Sequence, residues 1–431
     1  MKTKLSKKFW SALVIFSLIG QVAWVVENMY FNVFIYKMFN ASADNISLMV
    51  ALSAVSATVT TLLIGALSDK MGKRKLFICA GYIAWGISIL AFSLLRIDFL
   101  KKLFPYASAT ALGISLTIIL DCLMTFFGSS ANDAAFNAWL TDSTDTTNRG
   151  SAEGVNAMMP LVAILVVFGS FMFFDLEQAK SWTTIFLIIG FTVLLIGILG
   201  IFLIQDTGVK QEENNSYFKN IVYGFRPKVV KENKLLYFLL IAFAVFGISI
   251  QIFMPYLIIY YEKTLEMSNY VLIMAPAIIV ASIVTFFYGK VYDKFKFNKS
   301  IIFPICSLIM GYVLLYFFKN TAFVFIGSLL MMSGYLSGMA VFGAVIRDYT
   351  PVNKAGMFQG LRIVGQVLIP GIIGPFIGSA VLKNAEKIVN SDGTKSFLPN
   401  ANIFLAALVV AVVLSVILVL VGFALKKSKK D

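Results

Sequence analysis

The sequence predicts an all-α polytopic membrane protein: twelve transmembrane helices in two six-helix bundles, with both termini in the cytoplasm. Three observations predict it. The composition is strongly apolar, the apolar residues fall into twelve long runs, and the two halves repeat each other. Of 431 residues, 59% are hydrophobic and 13% charged, with a mean hydropathy of +0.85. That is about half the charged content of a soluble domain, too little to cover the surface of a cytosolic enzyme.

A bilayer core takes roughly 20 apolar residues as a helix. In order, the runs are 9–36, 45–68, 76–95, 103–141, 154–174, 181–205, 235–261, 267–289, 300–318, 320–346, 363–382 and 396–425, numbered here as spans 1 to 12. Ten carry no charge. Span 1 contains only Glu27, and span 4 only Asp121 and Asp133. Lipid-facing barrel strands would alternate every second residue, and these runs do not. The basic stretch 1–8 precedes a run too long for a signal-peptide core, so span 1 reads as a retained helix.

Lys and Arg set the orientation. With the N-terminus inside, 25 of the 36 basic residues fall in inner segments and 10 in outer ones, and Arg362 lies within a helix. This asymmetry fits the positive-inside rule and a multi-pass protein of the cytoplasmic membrane. It accounts for the net charge of +14 without nucleic acid. The long polar inner segment 206–234 divides the chain into an N-terminal bundle, 1–205, and a C-terminal bundle, 235–431. The chain is expected to be a monomer in contact with membrane lipid.

The halves repeat in their inner loops. Gly65-Ala-Leu-Ser-Asp69-Lys-Met-Gly72-Lys-Arg74-Lys follows span 2, and Gly289-Lys-Val-Tyr-Asp293-Lys follows span 8. After spans 4 and 10, Ala138, Asp142, Gly150 and Gly154 match Ala344, Asp348, Gly356 and Gly360. Two matches in corresponding loops argue for a duplicated six-helix unit.

Twelve spans, a central inner loop and the 65–75 motif resemble the major facilitator superfamily. Within it the chain resembles the glycoside–pentoside–hexuronide:cation symporters and their sucrose-transporter relatives. The residues that carry this narrower likeness are Trp24-Val-Val-Glu27-Asn28, Asp121, Asn132-Asp133-Ala-Ala-Phe-Asn137, Gly360-Leu-Arg362 and Ile369-Pro370. The resemblance implies the major facilitator fold and inner loops that act as latches. Gly65 and Gly72 would allow close approach and a tight turn. Asp69, an acid in a basic loop, would meet a helix N-terminus or an arginine, with Arg149 the natural partner. Asp142, Asp293 and Asp348 would share this gating role. Lys73, Arg74 and Lys75 would either join the network or merely satisfy the positive-inside rule.

Ionisable residues deep in a span cost on the order of 2.5–3.5 kcal/mol and are candidate functional groups by default. Asp121, Thr125, Gly128, Asn132 and Phe136 follow spacings of three and four, so they share one stripe of span 4. Gln21, Trp24 and Asn28 share a face of span 1, with Glu27 at its edge. Gln251 in span 7, and Arg362 and Gln366 in span 11, add polar groups. Carboxylates, amides and an indole suit a polyhydroxylated solute. In the symporters that the chain resembles, acids of spans 1 and 4 serve sugar and coupling ion, a role that falls by position on Glu27 and Asp121. Alternatives stay open. Asp121 could pair with Arg362, Glu27 could serve an outer gate, Trp24 could be a packing residue, and Asp133 could belong to the latch.

The expected function is secondary active transport of a sugar or glycoside by alternating access, in symport with a cation. Melibiose-type relatives carry sodium-binding acids in span 2. Span 2 here has none, so a proton is the simpler coupling ion and sodium stays open. The competing function is export of amphipathic drugs or lipids. No histidine occurs, and three scattered cysteines make no cluster, so no enzyme, metal or cofactor is expected. There is no phosphate-binding Gly-x-x-x-x-Gly-Lys-[Ser/Thr] loop either.

Overall fold

The structure of the chain, a computed structural model, describes residues 5–145, 148–206, 223–267, 269–350, 355–390 and 393–427; the side chains of Asp69 and Arg149 fall outside the description. Among the described residues, eleven helices are long and apolar enough to cross a membrane. In the numbering above, spans 1 to 6 are Lys7–Phe39, Ala43–Gly65, Arg74–Phe92, Ala109–Asp142, Ser151–Phe171 and Ala179–Leu203. Spans 7, 8, 10, 11 and 12 are Lys234–Thr264, Val271–Tyr288, Thr321–Tyr349, Gly360–Leu382 and Asn402–Leu425. Span 9, Ile302–Phe317, has 16 residues and follows Lys290–Ser300 across a bend of 73°. It completes the twelve.

Local chemistry fixes several ends. Ser6, Ser108 and Asn320 cap spans 1, 4 and 10, each accepting from the backbone N–H three residues on. This satisfies one of the orphan donors at a helix start. Span 1 stops at Asn40, whose φ of 50° places it in the left-handed region used to end helices.

Two spans differ from the apolar runs. Span 4 begins at Ala109 rather than 103. Residues Ile97–Leu103 form a separate short helix, and Pro105, with no N–H, interrupts the backbone ladder before Ser108 caps the span. Span 12 begins at Asn402 rather than 396, because Lys395–Phe397 pairs antiparallel with Lys387–Val389 in a hairpin. Hydropathy is blind to that pairing. In the 206–234 segment the structure describes a short helix, Pro227–Glu232.

The chain divides into two compact units. The first is Met1–Asn45 with Leu52–Asn215, and the second is Ser216–Asp431 with Ile46–Ala51. Within the first, spans 3 and 6 pack so closely that a Cβ on Gly86 would lie 2.5 Å from the Leu194 backbone nitrogen. Such small-residue contacts are how membrane helices gain dispersion energy without a hydrophobic drive between them. Phe31, Phe34, Phe92, Trp182 and Phe186 form a cluster of tilted and edge-on ring contacts in this unit.

Candidate solute and cation site

Glu27 and Asp121 come together inside the first unit. Span 1 passes through a π turn at Val26–Tyr30, and such turns rephase every later side chain. Glu27 is left 7% exposed and Asp121 2% exposed. Ser53 of span 2 and Thr125 of span 4 each lie 2.8 Å from Glu27 Oε1 and 2.8 Å from one another. Thr125 Oγ1 also lies 2.8 Å from the Asp121 carbonyl oxygen. Glu27 Oε2 and Asp121 Oδ1 have no hydrogen-bond partner among the described residues.

This arrangement has a proton count built into it. Glu27 Oε1, Ser53 Oγ and Thr125 Oγ1 make three mutual contacts, and the two hydroxyls supply one proton each. If both donate to an ionised Glu27, no proton is left for the contact between Ser53 and Thr125. A proton on Glu27 fills it, because the carboxyl then donates to one hydroxyl and that hydroxyl to the other.

Beside the acids stands an aromatic wall. The rings of Trp24 and Trp85 lie 5.0 Å apart at 46°, and Trp85 meets Tyr82 edge-on. Both indoles rest against Gly128, one turn from Thr125. A Cβ there would lie 2.7 Å from Trp85 Cε2 and 3.0 Å from Trp24 Cη2. Glycine is what lets span 4 accept two rings at this level.

The other predicted residues divide into three groups. Thr125 and Asn132 are buried on the span 4 stripe. The Asn132 amide donates to Tyr82 Oη at 3.0 Å, and Tyr82 donates to the Phe16 carbonyl at 2.8 Å, which ties spans 1, 3 and 4 together. Asn28 is exposed and turns its amide back to the Trp24 carbonyl, and Gln21 is half-buried. Gln251 and Arg362 belong to the second unit, where Arg362 Nε donates to Gln366 Oε1 at 3.3 Å. Asp133 accepts from Ser129 within its own helix at 2.9 Å. Sequence reasoning missed Ser53 and Trp85. Serine is common in membrane helices, and a lone tryptophan reads as packing, so neither carries a signal of its own.

At the inner end of the first unit, the ion pair found is Arg74 to Asp142. Arg74 Nε donates to Asp142 Oδ2 at 3.0 Å and Nη1 to Ser68 Oγ at 2.6 Å. Arg74 is 5% exposed, so it does more than mark topology. The expected partnership of Asp69 with Arg149 lies outside the described residues. Gly72 makes the tight turn, with φ of 62°. Gly65 is not crowded, since its nearest neighbour is Ala134 Cβ at 3.9 Å. In the second unit Asp293 is exposed, and Tyr292 donates its phenol proton to Asp348 Oδ2 at 2.6 Å.

Residues 11–341 match the model of the Major Facilitator Superfamily. The chain belongs to that superfamily. It is a multi-pass membrane transporter with the superfamily's fold. No curated protein matches its sequence significantly. Solved structures do resemble it. The nucleoside transporter NupG matches with a TM-score of 0.70 at 12% identity, covering 97% of this chain and 99% of that one. A bacterial homolog of the human lysosomal transporter Spinster matches at 0.71 and 15%, covering 97% and 98%. The xylose transporter XylE from E. coli matches at 0.66 and 15%, covering 95% and 98%. At these identities the likeness concerns the fold alone.

Proposed function

We propose that this major facilitator transporter moves a sugar or glycoside in symport with a proton, as a member of the glycoside–pentoside–hexuronide:cation or sucrose-transporter branch. The observation that carries the reading is the buried Glu27 carboxyl in a closed triangle with the Ser53 and Thr125 hydroxyls, with a second buried carboxyl, Asp121, one turn from Thr125. The site needs a proton to complete its hydrogen bonds, and the free carboxyl oxygens remain to receive solute hydroxyls. Protonation and solute binding at one pair of acids couple the two events. A solute whose hydroxyls bond the acids changes how firmly the proton is held, and by linkage the proton changes solute affinity equally.

Export of an amphipathic drug or lipid has one observation in its favour. The first unit contains an apolar cleft of about 320 Å³, lined by residues such as Leu18, Val22, Val167, Phe171 and Ile189. An acyl chain would suit it. Uptake of a radiolabelled sugar panel into proteoliposomes, with and without an inward pH gradient, separates the two readings. Symport gives accumulation that collapses with the gradient. An exporter gives no sugar uptake under either condition.

A further inference from the structure

Four buried polar atoms on spans 1, 3 and 4 have no hydrogen-bond partner among the described residues. They are the indole nitrogens of Trp24 and Trp85 and the carboxyl oxygens Glu27 Oε2 and Asp121 Oδ1. Elsewhere in the unit, among the described residues, Asn32, Thr58 and Thr61 each have one buried side-chain oxygen without a partner. A buried donor without an acceptor is costly, and native structures rarely keep one without a use. Trp85 is 0% exposed. Phenylalanine would pack the same ring face against Gly128 without the unanswered N–H, so packing alone does not call for an indole.

We propose that Trp85 is a substrate-recognition residue. Its N–H, together with that of Trp24, donates to oxygens of the same solute whose hydroxyls bond Glu27 and Asp121. The inference rests on the sugar reading and sharpens it. Two donors and two acceptors, one helical turn apart, complement neighbouring hydroxyls, since each hydroxyl both accepts and donates. An alkali ion or an ammonium group would answer the carboxylates but has no lone pair for the indoles. An anion would answer the indoles but has no proton for the acids. The set of groups selects a neutral polyhydroxylated solute.

Trp85→Phe keeps the ring and removes the donor. The probes are labelled hexoses and methyl glycosides with their mono-deoxy analogues, used in binding and counterflow assays on the full chain in proteoliposomes. A site built to bond a hydroxyl rejects the analogue lacking it. The wild type should therefore prefer the parent sugar to one particular deoxy analogue. In W85F the parent should bind about tenfold more weakly, and that preference should disappear. On the wild-type protein, saturating sugar should also shift the ultraviolet resonance Raman bands that report indole N–H hydrogen bonding, a readout independent of any variant's folding. W85F that binds all analogues more weakly by one common factor, or that binds them as the wild type does, overturns the proposal, as do unshifted indole bands. In those cases sugar still binds the wild type and the sugar reading survives. If no sugar in the panel binds the wild type, the sugar reading fails and takes this proposal with it.

Discussion

Asn132 and Asp121 lie on one stripe of span 4 and are both buried, yet their surroundings separate their roles. The Asn132 amide is held by Tyr82, and its nitrogen lies 1.7 Å from where a Gly20 Cβ would sit. Asn132→Ala strands the Tyr82 hydroxyl side of that contact. It should cost roughly 1–3 kcal/mol of stability, read as a lowered Tm in detergent, with sugar affinity in the remaining folded protein unchanged. Gly20→Ala should destabilise through the same contact. The stripe itself was legible from three-and-four spacing. The division of labour along it was not, because spacing reports which residues share a face and says nothing of the partner each one meets. Asn28 and Glu27 make the same point in span 1. Ideal helical periodicity places Asn28 with Trp24 and puts Glu27 at the edge, whereas the π turn at Val26–Tyr30 buries Glu27 between Ser53 and Thr125.

Among the elements, the inner loops show how a duplicated motif diverges. Arg74 joins Ser68 and Asp142 in the first unit. At the position matching Ser68 the second unit has Tyr292, whose phenol reaches Asp348 directly. Burial, with the Asp348 carboxylate beside it, holds the Tyr292 phenol above its ordinary range, so it remains a donor through neutral pH. The two devices do the same job with different chemistry. Arg74→Gln, which breaks a charge-assisted bond, should cost roughly 1.5–3 kcal/mol, and Tyr292→Phe about 1 kcal/mol more than a neutral surface change. Thermal unfolding of the purified variants checks the order; equal losses would mean that the arginine pair carries no more than the phenol contact. Both loops were visible in the sequence as a repeat. The Arg74 partnership was not, since a basic cluster after a span is what topology alone produces. The hairpin at Lys387–Phe397 and the late start of span 4 were hidden for a simpler reason, as turn and strand pairing leave no trace in a hydropathy average.

For the whole molecule, the twelve apolar runs and the asymmetry of basic residues were enough to give the fold, because only helices or closed barrels satisfy every backbone group in lipid. The orientation makes its own forecast. In a variant freed of Cys79, Cys122 and Cys306, single cysteines at Lys70 and Lys294 should both react with a membrane-impermeant maleimide only from the cytoplasmic side. Labelling of the two from opposite sides would contradict both the duplication and the even number of spans. Substrate identity was beyond reach of composition, since hydropathy responds to lipid and is indifferent to cargo. What points to cargo is a handful of groups: two acids, two hydroxyls and two indoles in the first unit.

The central claim is that Glu27 and Asp121 bind proton and solute together, and it is tested most directly by watching protons during sugar entry. In lightly buffered proteoliposomes without an imposed gradient, adding a transported sugar outside should alkalinise the external medium in proportion to the sugar taken up. Asp121→Asn keeps the shape of the side chain and removes its exchangeable proton; it should fold and insert but abolish the alkalinisation and uphill accumulation. Sugar uptake by the wild-type protein with no accompanying proton movement, or undiminished proton movement in D121N, would contradict the account.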